Sequence, residues 1–149
     1  MVQITANFQL STFSMIRTIL LSNSIIAAKF RKDSFYEFEP KHKSHSFNQF
    51  PYIVVMVPQV EDAEEYLGDI VSDKEFEIEI ILRMDYLARD NFASYASSIV
   101  GELDNSQSDF QSGGYYMESI KFEGSESLVM DQKQLIEGRF SLILRGEVS

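Results

Sequence analysis

The residues best suited to chemistry are carboxylates. Glu75, Glu77 and Glu79 alternate along one stretch, and in an extended strand such residues share a face about 7 Å apart in succession. Three like charges in a row are unfavourable unless a cation or a metal offsets them. Divalent-metal nucleases use such clusters, usually with a lysine two positions after a carboxylate, and here Ile81 follows Glu79 at that spacing. Three readings stand: a metal-dependent enzyme, a plain solvent face, or an electrostatic surface toward an arginine strand or another subunit. Arg139 and Arg145, outward on the last predicted strand, are the candidate cross-strand partners.

Other chemistry has less to work with. The chain has no cysteine, which removes thiolate metal ligands, thiol nucleophiles and disulfides. Its two histidines, His42 and His45, sit in one polar stretch with Lys41 and Lys43. A serine nucleophile needs a base held against it, and these two are the only histidines on offer. As a metal clip they lack further nearby ligands, and the lysines repel a cation. The stretch reads as a solvated basic loop or as a contact for an acidic partner. Gly113-Gly114 leads into a strand with no lysine at phosphate-loop spacing, and reads as a turn. Phe30, Phe35, Tyr36, Phe38, Phe47 and Phe50 gather around the basic loop. Basic residues among aromatics can bind single-stranded nucleic acid, but packing in a core or interface suits an acidic protein better.

The elements that position these residues belong to one domain, residues 1–149. Hydrophobic residues make up 44% and charged ones 24%, enough for a packed core without metal or disulfide. No stretch approaches the roughly 18 apolar residues of a membrane span, and the N-terminus lacks signal-peptide character. These features predict a protein made and kept in a cytoplasm, with no membrane partner. The net charge of −10 is uneven: residues 1–60 carry six basic and three acidic side chains, residues 61–149 seven and twenty. That balance disfavours tight binding to nucleic acid.

Residues 1–7 read as a flexible arm. Leu10–Leu21 has helical spacing, with Phe13, Ile16 and Leu20 on one face; Ser24 to Lys29 adds a turn. Ser34–Phe38 reads as a short strand, 39–48 as a long basic loop, and Tyr52–Val57 as a strand buried on both faces. Glu61–Tyr66 reads as a solvated turn or helix fragment. The clearest pattern follows: Phe76, Ile78, Ile80, Leu82 and Met84 alternate with Glu75, Glu77, Glu79, Ile81 and Arg83. Asp90–Leu103 is a second helix with Asp90 as N-cap, a stripe of Phe92, Tyr95, Ala96, Ile99 and Leu103, and exposed serines at 94, 97 and 98. Residues 105–114 read as a polar loop, Tyr115–Phe122 as a strand, 123–125 as a turn and Leu135–Val148 as the last strand. In that strand Phe140, Leu142 and Leu144 face in, and Glu137, Arg139, Ser141 and Arg145 face out. The order predicts an α+β fold: a mainly antiparallel sheet of four to five strands with two helices on one face.

This layout resembles the tail terminator, or tail-completion, proteins of long-tailed phages and related viruses. Four features carry the resemblance: the helix Leu10–Leu21, the run Phe50-Pro51-Tyr52-Ile53-Val54-Val55, the long strand Glu75–Met84 with the helix Asp90–Leu103 after it, and the closing pair Tyr115–Phe122 and Leu135–Val148. The long 39–48 connection departs from the usual pattern. The resemblance implies a structural virion protein rather than an enzyme, with no cofactor. It implies a hexameric ring that caps the head-proximal end of the tail tube, ends tube polymerisation and joins tail to head. The partners implied are further copies of the chain, the tail tube protein and the head-completion or connector protein, with DNA passing through the lumen without specific binding. The place implied is the tail or neck of a virion assembled in host cytoplasm. A ring needs an interface between two different patches. The basic stretch Lys29 to Lys43 and the acidic stretch Glu61 to Glu79 are the candidate patches, and the interface residues singled out are Lys41, His42, Lys43, Glu75, Glu77, Glu79, Arg139 and Arg145. Alternatives are another neck or head-completion protein, or a dimeric ligand-binding α+β domain.

Overall fold

A computed structural model describes residues 8–40, 50–58, 72–130 and 132–148. The expected arm at 1–7, most of the 39–48 loop, with Lys41, His42 and Lys43 in it, and the Glu61–Tyr66 segment lie outside the described residues.

The chain opens with α1 (Phe8–Leu21) and the single turn α2 (Ser24–Ala27), joined at Asn23. The Asn23 side chain accepts from the Ile25 and Ile26 amides, so the residue that ends one helix caps the next. A 3-10 turn, Lys32–Ser34, leads into β1 (Phe35–Tyr36), then β2 (Tyr52–Met56) and β3 (Ser72–Asp85). A second 3-10 segment, Tyr86–Asn91, precedes α3 (Phe92–Asp104) and α4 (Gln107–Ser112). The long strands β4 (Tyr115–Met130) and β5 (Lys133–Val148) close the chain.

The fold is α+β. Among the described residues five strands form one sheet in the order β1-β2-β3-β5-β4. The sheet is mixed: β1 runs parallel to β2, and the other neighbours are antiparallel. Alternation in β3 works as its pattern predicts. Phe76, Ile78, Ile80, Leu82 and Met84 all enter the main core with Phe140, Leu142 and Leu144 of β5. The helices seal that face through Phe13, Ile16, Ile19 and Leu20 of α1 and Phe92, Tyr95, Ile99 and Leu103 of α3. β2 is buried on both faces, since Ile53 and Val55 join the main core while Tyr52 and Val54 join a smaller cluster with Ile81 on the opposite face.

Several local expectations are corrected. The strand expected over Ser34–Phe38 is two residues long, because the 3-10 turn uses Ser34. Asp90 does not cap α3; Asp85 starts the helical segment by accepting from the Leu87 amide at 3.1 Å. Ser98 is buried at the flank of the α3 stripe. The polar stretch 105–114 contains α4, whose Phe110 is fully buried and anchors an otherwise hydrophilic turn of chain. Residues 123–125 do not turn. They are β-bulge in a continuous β4, with a register shift between Phe122 and Gly124 and φ of +121° at Gly124, a conformation suited to glycine. The reversal comes later, around Gln132 (φ 66°).

Candidate functional site

The helix-free face of the sheet carries the candidate site. Its positions are the odd residues of β3 and β5, because successive side chains in a strand point to opposite faces. β3 and β5 pair with Glu75 opposite Arg145, Glu79 opposite Ser141, Ile81 opposite Arg139 and Arg83 opposite Glu137.

The carboxylate row is held by β5 rather than gathered around a common point. Arg145 reaches Glu75 at 3.3 Å and Glu118 of β4 at 2.6 Å. Ser141 donates to Glu77 at 2.9 Å. Arg139 makes an ion pair with Glu79, one step diagonal to its own register partner. Each of the three glutamates therefore has its own donor across the strand pair. Lys41, His42 and Lys43 lie outside the described residues.

The sequence pattern missed a buried pair on the same face. Arg83 and Glu137 read as solvent-facing, yet they are 5% and 3% exposed. Arg83 donates through Nε to Glu137 at 2.9 Å and through Nη1 to the Tyr52 hydroxyl at 3.1 Å. It also pairs with Glu39. Glu137 uses its second oxygen to accept from Arg139 Nε at 3.2 Å. One chain of charge thus runs Glu39–Arg83–Glu137–Arg139–Glu79. The segment ending at Pro40 and the one starting at Phe50 both lie at this end of the face. Phe50 stacks on Tyr52 with ring centres 5.1 Å apart, and Lys133 sits over Phe50 while pairing with Asp85 at 3.0 Å. Sequence offers only one signal for the pair: each residue stands among apolar alternation one step out of phase.

The surroundings tune the titrating groups. Burial, then the nearby Tyr36 and Glu137, push the Tyr52 hydroxyl well above its usual range, so it stays a neutral hydrogen-bond partner for Arg83. The hydrogen bond from Glu118, then Arg145, hold Glu75 below the usual carboxylate range. The same contact raises Glu118, which keeps its proton longer as the donor of that bond. Burial pulls the Arg139 guanidinium down, but Glu137 and Glu79 outweigh it and the net direction is up. The Leu87 amide, then Lys133, depress Asp85.

At the β4 bulge an open pocket of about 280 Å³ is lined by Glu123, Gly124, Ser125, Glu126, Glu137 and Arg139. Arg139 is committed to Glu137 and Glu79, while Glu123 and Glu126 are exposed. Among the described residues no group of three or more His, Cys, Asp or Glu side chains is placed to hold a metal ion. No helix among them is long and apolar enough to cross a membrane. The arrangement is suited to electrostatic recognition by a charged surface. Compared with known proteins, the chain matches no family model, and no curated protein matches it.

Proposed function

We propose that this chain is a structural subunit of a virus tail or neck, a tail terminator that assembles as a ring, caps the tail tube and joins it to the head. The observation that supports the reading is the order of elements. The stretches that resemble the terminator family lie on α1, β2, β3 with α3, and the β4–β5 pair, and they meet in one sheet with helices on one face. The free face presents paired charges instead of converging reactive groups. Such a face acts by fitting another surface.

Among the described residues the pocket at the β4 bulge is open and lined by polar groups, whereas a ligand-binding cleft is usually enclosed and mainly apolar. A neck protein on the portal side shares every feature above, and genetics separates the two. With the gene deleted, negative-stain electron microscopy of the particles is expected to show overlong tubes of varied length beside unjoined heads. Tails of normal length left unattached to heads would assign the chain to the neck instead. Intact, infectious particles would end the structural reading.

A further inference from the structure

We infer that the two bulges in β4 are guards: they keep the one long open edge of the sheet from pairing with β4 of a second copy. This guard works on backbone pairing alone and stands whether or not copies meet elsewhere in a ring.

The edge of a sheet offers a row of unpaired N–H and C=O groups to any other strand. Among the described residues the sheet ends in β1 on one side and β4 on the other. β1 is two residues long, so its edge offers almost nothing. β4 is 16 residues long, about 50 Å at the usual rise of a strand. Tyr116, Phe122 and Val129 lie exposed along it, and aromatic and β-branched residues favour strand pairing. One edge is therefore safe by shortness, and the other needs a different protection.

Both interruptions of β4 have the same form. Leu144 and Ile143 are neighbours on β5, but their partners are Met117 and Ser119, which makes Glu118 the extra residue. Phe140 and Arg139 are neighbours too, and their partners are Phe122 and Gly124, which makes Glu123 the extra residue. Each insertion is thus a glutamate, and both are exposed. A bulge sharpens the twist and breaks the even spacing of the outward amides and carbonyls, so a regular strand cannot follow the edge past it. Glu118 also reaches Arg145 at 2.6 Å, so its bulge serves the charge row as well. Glu123 makes no ion pair with a described residue, and guarding the edge is the role its insertion fits. The longest uninterrupted stretch, 124–130, carries exposed Glu126, and a charge on an edge also discourages pairing.

The inner side of β4 requires neither insertion. Met117 and Phe122 lie opposite the core residues Leu144 and Phe140, and Ser119 and Gly124 already take the next positions on β5. Without Glu118 and Glu123, every other β4–β5 pair would keep its register and β4 would become a regular edge.

Deletion of Glu118 and Glu123 together is the test. Glu118→Ser with Glu123→Ser is the control, which removes both charges and keeps both insertions. A cooperative melt shows that each variant is folded. Light scattering reads association over a concentration series, and amide hydrogen exchange by mass spectrometry reads whether β4 is where copies meet. The deletion variant is expected to reach at least twice the parent's scattering mass, with β4 amides exchanging about tenfold more slowly as it associates. The serine control should match the parent. A folded deletion variant that keeps the parent's mass overturns the inference. So does association without new protection in β4, or a serine control that associates equally. Should the deletion prevent folding, the parent decides alone. Fast exchange along β4 at every concentration supports the guard, and protection of β4 that rises with concentration overturns it.

Discussion

The two faces of β3 solve the same problem with opposite chemistry. On one side Phe76, Ile78, Ile80, Leu82 and Met84 are sealed under helices. On the other, Glu75, Glu77 and Glu79 stay near water and are met by Arg145, Ser141 and Arg139, until Ile81 and Arg83 pass out of solvent at the far end. The helix face draws its stability from area removed from water, which is non-directional and tolerant of detail. The buried end of the other face depends on geometry, because a charge taken out of water is costly unless its partners are in place. A surface built that way holds its side chains in fixed positions.

The largest effect that would break this contrast is on the helix face. Phe140 is fully buried and packs on Phe122 with ring centres 5.3 Å apart. Phe140→Ala should cost about 3–5 kcal/mol in a denaturant titration. A loss under 1 kcal/mol would mean that this face is not the main core.

Next is Glu137→Ala, which leaves Arg83 buried with Glu39 as its remaining acid. The expected cost is about 3 kcal/mol, and Arg83→Met together with Glu137→Leu should recover most of it, since replacing both partners removes the unpaired charge. If the double change were as damaging as the single one, the pair would matter for more than mutual compensation.

Gly138 tests how closely the two faces are spaced. A Cβ there would lie 2.5 Å from Phe92 Cζ, so Gly138→Ala should cost about 1–3 kcal/mol by forcing that ring aside. An unchanged melting temperature would show that the α3 end can give way freely.

Asp85 carries the pH dependence. Its carboxyl is depressed by the Leu87 amide and Lys133, so its stabilisation is full above its unfolded value of about 3.9 and lost as pH falls through the lower folded value. Glu75 acts in the same direction. Glu118 acts oppositely: raised in the folded state, it favours folding while protonated and loses that as pH rises through the folded value. Melting temperature should therefore fall below about pH 4, and Asp85→Ala, costing about 1 kcal/mol at neutral pH through the lost cap, should flatten that fall. The same acid slope in variant and parent would place the titration elsewhere.

The smallest effect is expected at Glu79. It is exposed and paired to Arg139, so Glu79→Gln should change stability by about 0–1 kcal/mol and less in high salt. A larger, salt-resistant loss would mean that the exposed part of the row is built like the buried part.

Much of this molecule is legible residue by residue. Period-two alternation places the core side of β3 and β5, and the period of the α3 stripe places Phe92, Tyr95, Ile99 and Leu103, because water expels apolar side chains wherever the chain puts them together. The link from Arg139 and Arg145 to the glutamate row follows from the same alternation. Other features depend on neighbours distant in sequence. The sequence reads as a strand over Tyr115–Phe122, a turn at 123–125 and a last strand over Leu135–Val148, but continuous pairing carries β4 through the bulge at Gly124 to Met130. One buried aromatic, Phe110, converts a polar stretch into α4. Arg83 and Glu137 are ordinary surface residues by type, 54 positions apart in the chain. Only the register of β3 on β5 sets them opposite each other, where Tyr52 and Glu39 also meet Arg83. Local periodicity thus determined which side of each strand is apolar. The tertiary structure decided which charges meet, because a hydrogen-bonded ion pair needs a particular partner at a particular distance and burial needs only a lack of water.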